Sequence, residues 1–596
     1  MTGTAREPSG LLGAVGAGGA PAPGSATGRP GLAGLAVGAA AGLAVFAPVL
    51  GRGFVLSYDM VFVPRPPITA ATLGIDGSVP RAVPTDLVVA LLARLLPADL
   101  VQQALLLVVF VLAGWGVGRL APAPAGGAAA AAGYVWNPYV AERLVLGHWA
   151  FLLGYALLPW VAGAALAVRR EGAGGRPWPL LAWLGAAALA GSTAGLIATG
   201  VALAILGLRP APTRAVAVLT FALAVNAPWW LPGLARPGGI PTDPAGVGAF
   251  GARADSPLGV VGSLATLGGI WNPAVWPAER RYLLLVLAAL AGVAAALALG
   301  WRGLLAGGSP GRRGLVGAGA AGFLLALAGG LAVSRGALTV VVWHVPGGGL
   351  LRDGQKYLAP TALVLALAAG HAVERLAARR RGLPYAVLLG LLPVLVLPSL
   401  AAGAGGRLAG VHYPASWTEL RAAVAAAPPG DVAALPWGPY RRFGWNGDRV
   451  LLDPLPRLLP RPVAVDDDLP LSTGTVRGED PRAAQITAGL QRGADLAGLL
   501  RDAGVRYAVV HRGQPGAAQP EAALAGLPVR YRSADLLLVD LLDVPSRPPN
   551  APRPRPALLV GLGMAGLCLV GAFCRALSGI RTRRLLRSPA PREPTG

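Results

Sequence analysis

One short segment contains the best candidates for binding a phosphate group. Residues 351–360 read LRDGQKYLAP, and Lys356 is the only lysine among the 51 basic residues of the chain. A lysine ammonium is a compact point charge that suits phosphate oxygens, and the backbone N–H groups of an opening helix also favour an anion. The segment therefore predicts an anion site at Lys356, with Arg352, Asp353 and Gln355 beside it. The alternative is a lone lysine that survived by chance in an arginine-rich sequence.

A carboxylate follows the first long apolar run. In SYDMVFVPRPP, residues 57–67, Asp59 comes a few residues after that run ends. A carboxylate in this place could act as the base that deprotonates a bound acceptor hydroxyl. The structural alternative is that Asp59 caps a short helix or pairs with Arg65. Asp76 and Asp86 belong to the same predicted loop and compete for the role of base.

A second polar cluster lies in WNPYVAERLVLGHW, residues 136–149, between two apolar runs. Glu142 and Arg143 are adjacent and should diverge on a helix. Arg143 and His148 should project about 140° apart on a helix and are not expected to share a face. One interpretation is a satisfied ion pair within an interfacial aromatic belt. The other is a turn that binds an anionic headgroup.

The remaining polar groups carry weaker signals. The stretch 233–280 either covers a bound substrate or packs on the surface, and three adjacent carboxylates at 466–468 are expected to form a solvated acidic turn. The notable side chains of 233–280 are Arg253, Asp255, Trp271, Asn272 and Trp276. The chain contains no GxxxxGK[ST], HExxH or CxxC pattern. With two cysteines and five histidines, no metal site and no cofactor are predicted. If the reaction uses a cofactor, the one candidate is a divalent cation.

The composition indicates a protein that spans a membrane. Of 596 residues, 54% are hydrophobic and 13% are charged, about half the charged fraction of an ordinary soluble domain. The net charge of +23 comes from arginines at the ends of apolar runs, where the positive-inside rule places them. No basic stripe interleaved with aromatic residues is present, so nucleic acid is not expected as a partner.

Apolar runs of about 20 residues predict about 12 spans, with both termini in the cytoplasm of a plasma-membrane protein. The predicted spans are 31–50, 100–119, 121–137, 148–168, two short helices within 178–208 that turn at 191–193, 215–232, 281–300, 314–333, 357–377, 383–403 and 556–577. This mostly α-helical, polytopic arrangement places 51–99, 137–147, 233–280 and 334–356 on the outer face.

The predicted domains follow from this topology. Residues 1–30 form a disordered cytoplasmic leader, 31–403 a membrane domain of about 11 spans, 556–577 the last span and 578–596 a basic cytoplasmic tail. Residues 404–555 hold 18 arginines against 15 acidic residues and form a small extracytoplasmic α/β domain. Within it VAALPW and VRYAVVHRG read as buried strands, LAGLLRDAG as a helix and YRSADLLLVDLLDV as a hairpin. Trp417, Trp437 and Trp445 either stack on sugars or form its core, with core expected for at least one.

These features together resemble the GT-C superfamily of membrane glycosyltransferases. The residues that carry the resemblance are SYDMVFVP at 57–64, WNPYVAERLVLGHWAFLLGYALLPW at 136–160 and LRDGQKYLAP at 351–360. The texture is also similar to large actinobacterial membrane proteins and, more loosely, to the YfhO-like and arabinofuranosyltransferase-like branches. In one respect the chain departs from the superfamily, since its first outer loop has no adjacent acidic pair.

The resemblance implies a sugar transfer from a polyprenyl-phosphate donor to a glycan or glycolipid acceptor at the outer face, among membrane lipids. Asp59 would be the catalytic base. Arg352, Gln355 and Lys356 would bind the donor phosphate. The residues that would contact substrate are Glu142, Arg143, His148 and Asp353. The rival function is non-catalytic, in lipid or polysaccharide transport or as an envelope-assembly scaffold. A transporter should carry ionisable groups in mid-span, whereas here they collect on one face.

Overall fold

The computed structural model describes residues 28–75, 82–172, 175–207, 212–235, 243–471, 474–542 and 556–585. These ranges exclude residues 1–27 of the predicted leader and residues 586–596 of the predicted tail. Asp76 also lies outside the described residues.

Helices dominate the first two thirds of the chain. They are α1 (Gly28–Phe46), α2 (Thr85–Leu92), α3 (Ala98–Gly118), α4 (Pro124–Val135), α5 (Pro138–Val145), α6 (Trp149–Glu171), α7 (Trp178–Leu189), α8 (Ser192–Leu206), α9 (Pro212–Val225), α10 (Ala227–Ala235), α11 (Ala245–Ala249), α12 (Gly259–Ala265), α13 (Leu283–Leu304), α14 (Pro310–Gly330), α15 (Ala332–His344), α16 (Ala359–Ala377), α17 (Leu383–Val396) and α18 (Ala401–Gly406). Short 3-10 turns connect several of them, including Pro273–Val275, Ala278–Arg281 and Gly354–Leu358.

Seven helical segments in the described part of the chain are long and apolar enough to cross a membrane, or eight if one bent pair counts as a span. The seven are Arg29–Val49, Ala98–Gly118, Trp149–Glu171, Leu283–Leu304, Pro310–Gly330, Gly354–Ala377 and Leu559–Ser578. The chain is thus a multi-pass membrane protein.

The predicted count of about 12 spans is not confirmed, because several predicted spans form shorter helices. At 1.5 Å per residue, the 12 residues of α4 or α7 reach about 18 Å, against about 30 Å of hydrocarbon. The two short helices predicted within 178–208 are confirmed as α7 and α8, and Gly191 with its positive φ separates them. The run 383–403 breaks at Leu397 and bends by 60°.

Glycines allow the first two long helices to pack closely. A Cβ atom added to Gly34 of α1 would overlap the carbonyl oxygen of Gly114 in α3, and one added to Gly114 would lie 2.7 Å from the Cα atom of Gly38. Small residues at a helix contact let the two backbones approach, which is how helices gain packing energy in lipid. The contact packs the helix that precedes the Asp59 loop against α3.

The strands lie mainly between Gly410 and Asp540. They are β1 (Phe54–Val55), β2 (Gly410–Val411), β3 (Asp431–Leu435), β4 (Tyr440–Arg442), β5 (Val450–Leu452), β6 (Val463–Ala464), β7 (Leu469–Leu471), β8 (Gly474–Val476), β9 (Val505–His511), β10 (Val529–Arg532) and β11 (Leu536–Asp540). The helices of this part are α19 (Ala415–Ala426), α20 (Leu455–Leu458), α21 (Pro481–Gln491), α22 (Leu496–Asp502) and α23 (Ala518–Ala523), before α24 (Pro556–Leu585) returns to the membrane.

Five strands form a mixed sheet in the order β10-β11-β9-β3-β6. Strand β3 pairs in parallel with β9 and β6, whereas β11 pairs antiparallel with β9 and β10. The two buried strands, the helix and the closing hairpin predicted from the sequence are confirmed. Trp417 is buried against Phe443 and Trp445, so it belongs to the core.

Candidate active site

The Asp59 loop is held between the membrane helices and the strands near the C-terminus. Tyr58 forms a bridge to β5, since its N–H donates to the Val450 oxygen at 2.7 Å and its oxygen accepts from Leu452 N at 2.9 Å. On the other side Asp59 N donates to the Leu146 oxygen at 3.2 Å, just after α5. The Asp59 loop is therefore hydrogen-bonded to β5 on one side and to the segment after α5 on the other.

A glycine brings the α5–α6 connection against this loop. Helix α5 begins where the Asn137 side chain accepts from Val140 N at 3.0 Å, which is a standard N-cap. It ends before Gly147, whose φ is +88°. A Cβ atom at Gly147 would overlap the backbone nitrogen of Met60 and lie 2.8 Å from that of Asp59. Only glycine fits this turn, and the turn carries His148 to the Asp59 carboxylate.

The Asp59 carboxylate accepts two side-chain hydrogen bonds. The Tyr440 hydroxyl donates to Oδ1 at 2.9 Å, and His148 Nε2 lies 3.3 Å from Oδ2. Burial raises the pKa of Asp59, but the hydrogen bonds from His148 and Tyr440 and nearby positive charge outweigh it, so the pKa lies below its usual value. The Asp59 side chain is still 40% exposed. It is therefore an oriented carboxylate that favours the ionised form and is open to solvent on one side.

The tautomer of His148 follows from its second neighbour. Arg143 Nη1 lies 3.0 Å from His148 Nδ1, and a guanidinium can only donate, so Nδ1 must accept. The proton of the neutral ring is then on Nε2 and points to Asp59. Burial, together with the charges of Lys356 and Arg143, holds the pKa of His148 below its usual value despite Asp59. The predicted separation of Arg143 and His148 was wrong, because the helix ends before Gly147 and the chain turns back.

Arg143 is fully buried, and both of its terminal nitrogens contact protein groups, whereas Nε has no hydrogen-bond partner among the described residues. It makes a bidentate contact with Asp353, at 2.9 and 3.0 Å, and a short hydrogen bond to the Gln355 side-chain oxygen. Burial raises the pKa of Asp353, but Arg143 and Lys356 lower it more, so the pKa of this carboxyl lies well below its usual value. Arg143 therefore supports the site and has little capacity left for a ligand.

Lys356 lies at the edge of the same network. Its Nζ is 3.4 Å from Asp353 Oδ2 and 5.8 Å from the centre of the Phe151 ring, and its side chain is 23% exposed. The Tyr139 hydroxyl donates to the Lys356 backbone oxygen at 2.6 Å and holds the turn that carries it. Lys356 is thus an anchored cation with one open side.

Glu142 belongs to a buried group behind Arg143. Its Oε2 accepts from Ile270 N at 3.2 Å and from the Gln355 amide at 3.4 Å. Burial and then the charge of Asp255 raise the pKa of Glu142 well above its usual value. Asp255 in turn forms a bidentate pair with Arg280, both contacts being 2.8 Å. The raised pKa favours the neutral form of Glu142, which lessens its repulsion from Asp255.

Arg352 does not join this network. Its Nη1 pairs with Glu479 at 2.9 Å, and its guanidinium lies 5.3 Å from the centre of the Phe250 ring. To bind a phosphate it would have to exchange Glu479. Among the competing carboxylates, Asp86 pairs with Arg457 at 3.0 Å.

Two residues of the site were missed or left undecided by sequence reasoning. Tyr440 is 381 positions from Asp59, and no pattern near it signals this contact. Asp255 was noted as a polar residue of its loop, but its pairing with Arg280 was not foreseen.

No group of three or more metal-ligating side chains is poised for a metal ion within the described ranges. The acidic residues at 466–468 accept hydrogen bonds from backbone N–H groups, including those of Gly478, Glu479 and Asp480. They are half-buried and hold the backbone of the segment 478–480, so the predicted solvated turn is not what forms.

The fold is similar to that of a mycobacterial arabinofuranosyltransferase, AftD, solved by cryo-EM. One structure matches with a TM-score of 0.55 at 20% identity, over 85% of this chain and 40% of that chain. A mutant of the same enzyme matches with a TM-score of 0.54 at 19% identity, over 86% and 42%. This chain thus spans about two fifths of that enzyme. No protein-family model matches the sequence, and no curated protein matches it either.

Proposed function

We propose that this protein is a membrane glycosyltransferase that moves a sugar from a polyprenyl-phosphate donor to a glycan or lipid acceptor at the outer face of the plasma membrane. The observation that carries the proposal is the convergence of residues from three distant segments. Asp59, His148 and Lys356 lie around one network, and each keeps an exposed side. The AftD-like fold supports a reaction of this class.

The proposed reaction uses the two exposed charges at opposite ends of the network. The acceptor hydroxyl oxygen attacks the anomeric carbon of the donor sugar, and its proton passes to Asp59. The bond between the anomeric carbon and the phosphate oxygen breaks. The lipid phosphate leaves as an anion, and Lys356 stabilises the charge that develops on it. No nucleotide or metal takes part in this scheme.

His148, Arg143 and Asp353 have supporting roles in this proposal. The neutral imidazole donates to Asp59 and keeps its lone pairs directed outward. Arg143 fixes the imidazole tautomer through Nδ1 and holds Asp353, which in turn positions Lys356 at 3.4 Å. Arg352 and Gln355 are also predicted to bind the donor phosphate. Arg352 would act from the edge of the network, and Gln355 from within it.

The test is a lipid-linked glycan profile of cells that carry the wild type, Asp59→Asn or Lys356→Gln, with matched expression and membrane insertion. We expect both variants to accumulate the same underglycosylated acceptor as a deletion strain. If deletion leaves the glycans unchanged, or if both variants behave as wild type, the transferase proposal is wrong. Transport or scaffolding would then be the better account.

A further inference from the structure

A cavity of about 300 Å³ lies against α5, and none of Asp59, His148 and Lys356 lines it. Its walls come from α5, from the turn 274–281 before α13 and from the segment 399–407 after the bend of α17. Ala141 and Val145 of α5 line it, whereas the neighbouring Glu142 and Arg143 side chains belong to the network described above. The cavity is therefore a separate space at the outer ends of two membrane helices.

Two arginines line this cavity. The Arg407 guanidinium donates to the backbone oxygens of Val275 and Trp276 at 3.1 and 3.3 Å, and also to Ala274. Arg281 donates from Nε to the Ala278 oxygen at 3.2 Å. Backbone oxygens orient both groups without neutralising them.

Among the described residues, no carboxylate forms an ion pair, at 4.0 Å or less, with the guanidinium group of Arg281 or Arg407. The acidic residue of this turn, Glu279, has its two oxygens on Ser399 N and Oγ, both at 2.7 Å. Burial lowers the pKa of Arg407. The Tyr58 hydroxyl acts in the opposite direction but does not offset the effect of burial. Positive charge that is partly removed from water without a counter-ion favours an anionic ligand.

Apolar side chains line most of the rest of the cavity, and its walls adjoin the start of α13 and the end of α17 along the chain. Trp276, Pro277 and Leu400 form part of the wall. Helix α13 begins two residues after Arg281 and exposes Leu284 at its start, while α17, which leads to the bend, exposes Leu391 and Leu395. A ligand with an anionic head and an apolar tail matches this combination of charge and surface.

We propose that this cavity binds the phosphate headgroup of an anionic lipid, with its tail along the exposed faces of α13 and α17. The proposal goes beyond the transferase function, because a lipid can bind here whether or not a sugar is transferred. It gives the charges of Arg281 and Arg407 a counter-ion, which the backbone oxygens they contact do not supply.

The experiment is native mass spectrometry of the purified full chain in neutral detergent. A polyprenyl phosphate, phosphatidylglycerol, a neutral diacylglycerol and inorganic phosphate are added separately to the wild type, Arg281→Gln and Arg281→Lys. Arg302→Gln is the matched control, since Arg302 is an exposed arginine at the other end of α13. Arg281 is exposed as well, so its replacement should not disturb folding.

We expect the wild type to retain one lipid phosphate and no diacylglycerol. Arg281→Gln should weaken this binding about tenfold, which is the scale of a charge-assisted hydrogen bond, while Arg281→Lys and Arg302→Gln stay near wild type. Equal weakening in Arg281→Gln and Arg302→Gln would overturn the proposal. Equal competition by inorganic phosphate would also overturn it, because the site would then recognise a free anion.

Discussion

The protein contains two Asp–His pairs that differ in access. Asp59 and His148 lie 3.3 Å apart with side chains 40% and 15% exposed, while Asp453 and His511 lie 3.0 Å apart with both side chains 1% exposed. The first pair joins the loop after α1 to the start of α6. The second pair joins a loop after β5 to the end of β9, inside the sheet region.

The surroundings of the second pair leave no room for a ligand. Asp453 also accepts from Arg441 Nε at 3.1 Å and from Leu455 N at 3.0 Å. The His511 ring lies 5.5 Å from the Trp417 ring and 5.4 Å from the Phe443 ring. The same two residue types therefore serve stability in one region and are available for chemistry in the other, and burial makes the difference.

Breaking the buried pair should have the largest effect on stability. Asp453→Asn keeps the volume but leaves Arg441 without a counter-charge, so we expect the free energy of unfolding to fall by about 3–5 kcal/mol. Thermal unfolding of the purified protein measures this. Asp59→Asn, the matched change in the open pair, should leave the unfolding midpoint close to wild type. Equal destabilisation by the two variants would remove the distinction between the pairs.

Removing the ammonium at the edge of the open network should weaken donor binding. Lys356→Gln loses a charge-assisted contact, worth about 1.5–3 kcal/mol, so the KM for a polyprenyl-phosphate sugar should rise about 10- to 100-fold. Lys356→Arg should recover part of the loss. Steady-state kinetics with the purified enzyme measures both. An unchanged KM in Lys356→Gln would place the donor phosphate elsewhere.

Tyr440 should have a smaller effect as a positioning residue for Asp59. Tyr440→Phe removes one hydrogen bond of about 0.5–1.5 kcal/mol and should lower kcat by tenfold or less with KM unchanged. Because this hydrogen bond lowers the pKa of Asp59, the acid limb of the kcat profile should also move to higher pH. A loss of kcat without that shift would indicate a merely structural role.

The smallest effect expected is the pH dependence that His148 causes. Its pKa in the folded protein lies below its usual value of 6.5, so the unfolded chain takes up the proton first. The stability that the neutral ring contributes is complete above pH 6.5 and is lost as pH falls through the lowered pKa. Protonation also puts an N–H against Arg143, so activity should fall in the same window. His148→Gln should flatten this limb in an activity profile; a limb that persists unchanged belongs to another group.

The sequence pattern predicted many of the helices and strands of this molecule. It did not predict the contacts between segments that are far apart in the chain. The apolar runs located the long helices, and alternating apolar residues located β3, β9 and the closing hairpin. The predicted count of about 12 spans is not confirmed, because several predicted spans form shorter helices, such as α4 with its 12 residues.

The candidate site shows the same division. Asp59, Arg143 and Lys356 were found by residue type and by their place next to apolar runs. The approach of Arg143 to His148 depends on the positive φ of Gly147, and that of Tyr440 on a strand bridge at Tyr58. Neither is visible in a helical wheel or in a neighbouring motif, since both arise from backbone packing across distant segments.

The central claim is tested most directly by single-turnover transfer with purified protein in a lipid nanodisc. A labelled sugar on a polyprenyl phosphate is mixed with acceptor and the wild type, Asp59→Asn or Asp453→Asn, each corrected for its folded fraction. We predict transfer by the wild type, a loss of about 10²- to 10⁴-fold in Asp59→Asn and a nearly unchanged rate per folded molecule in Asp453→Asn. Transfer by Asp59→Asn at the wild-type rate would contradict the assignment of Asp59 as the base.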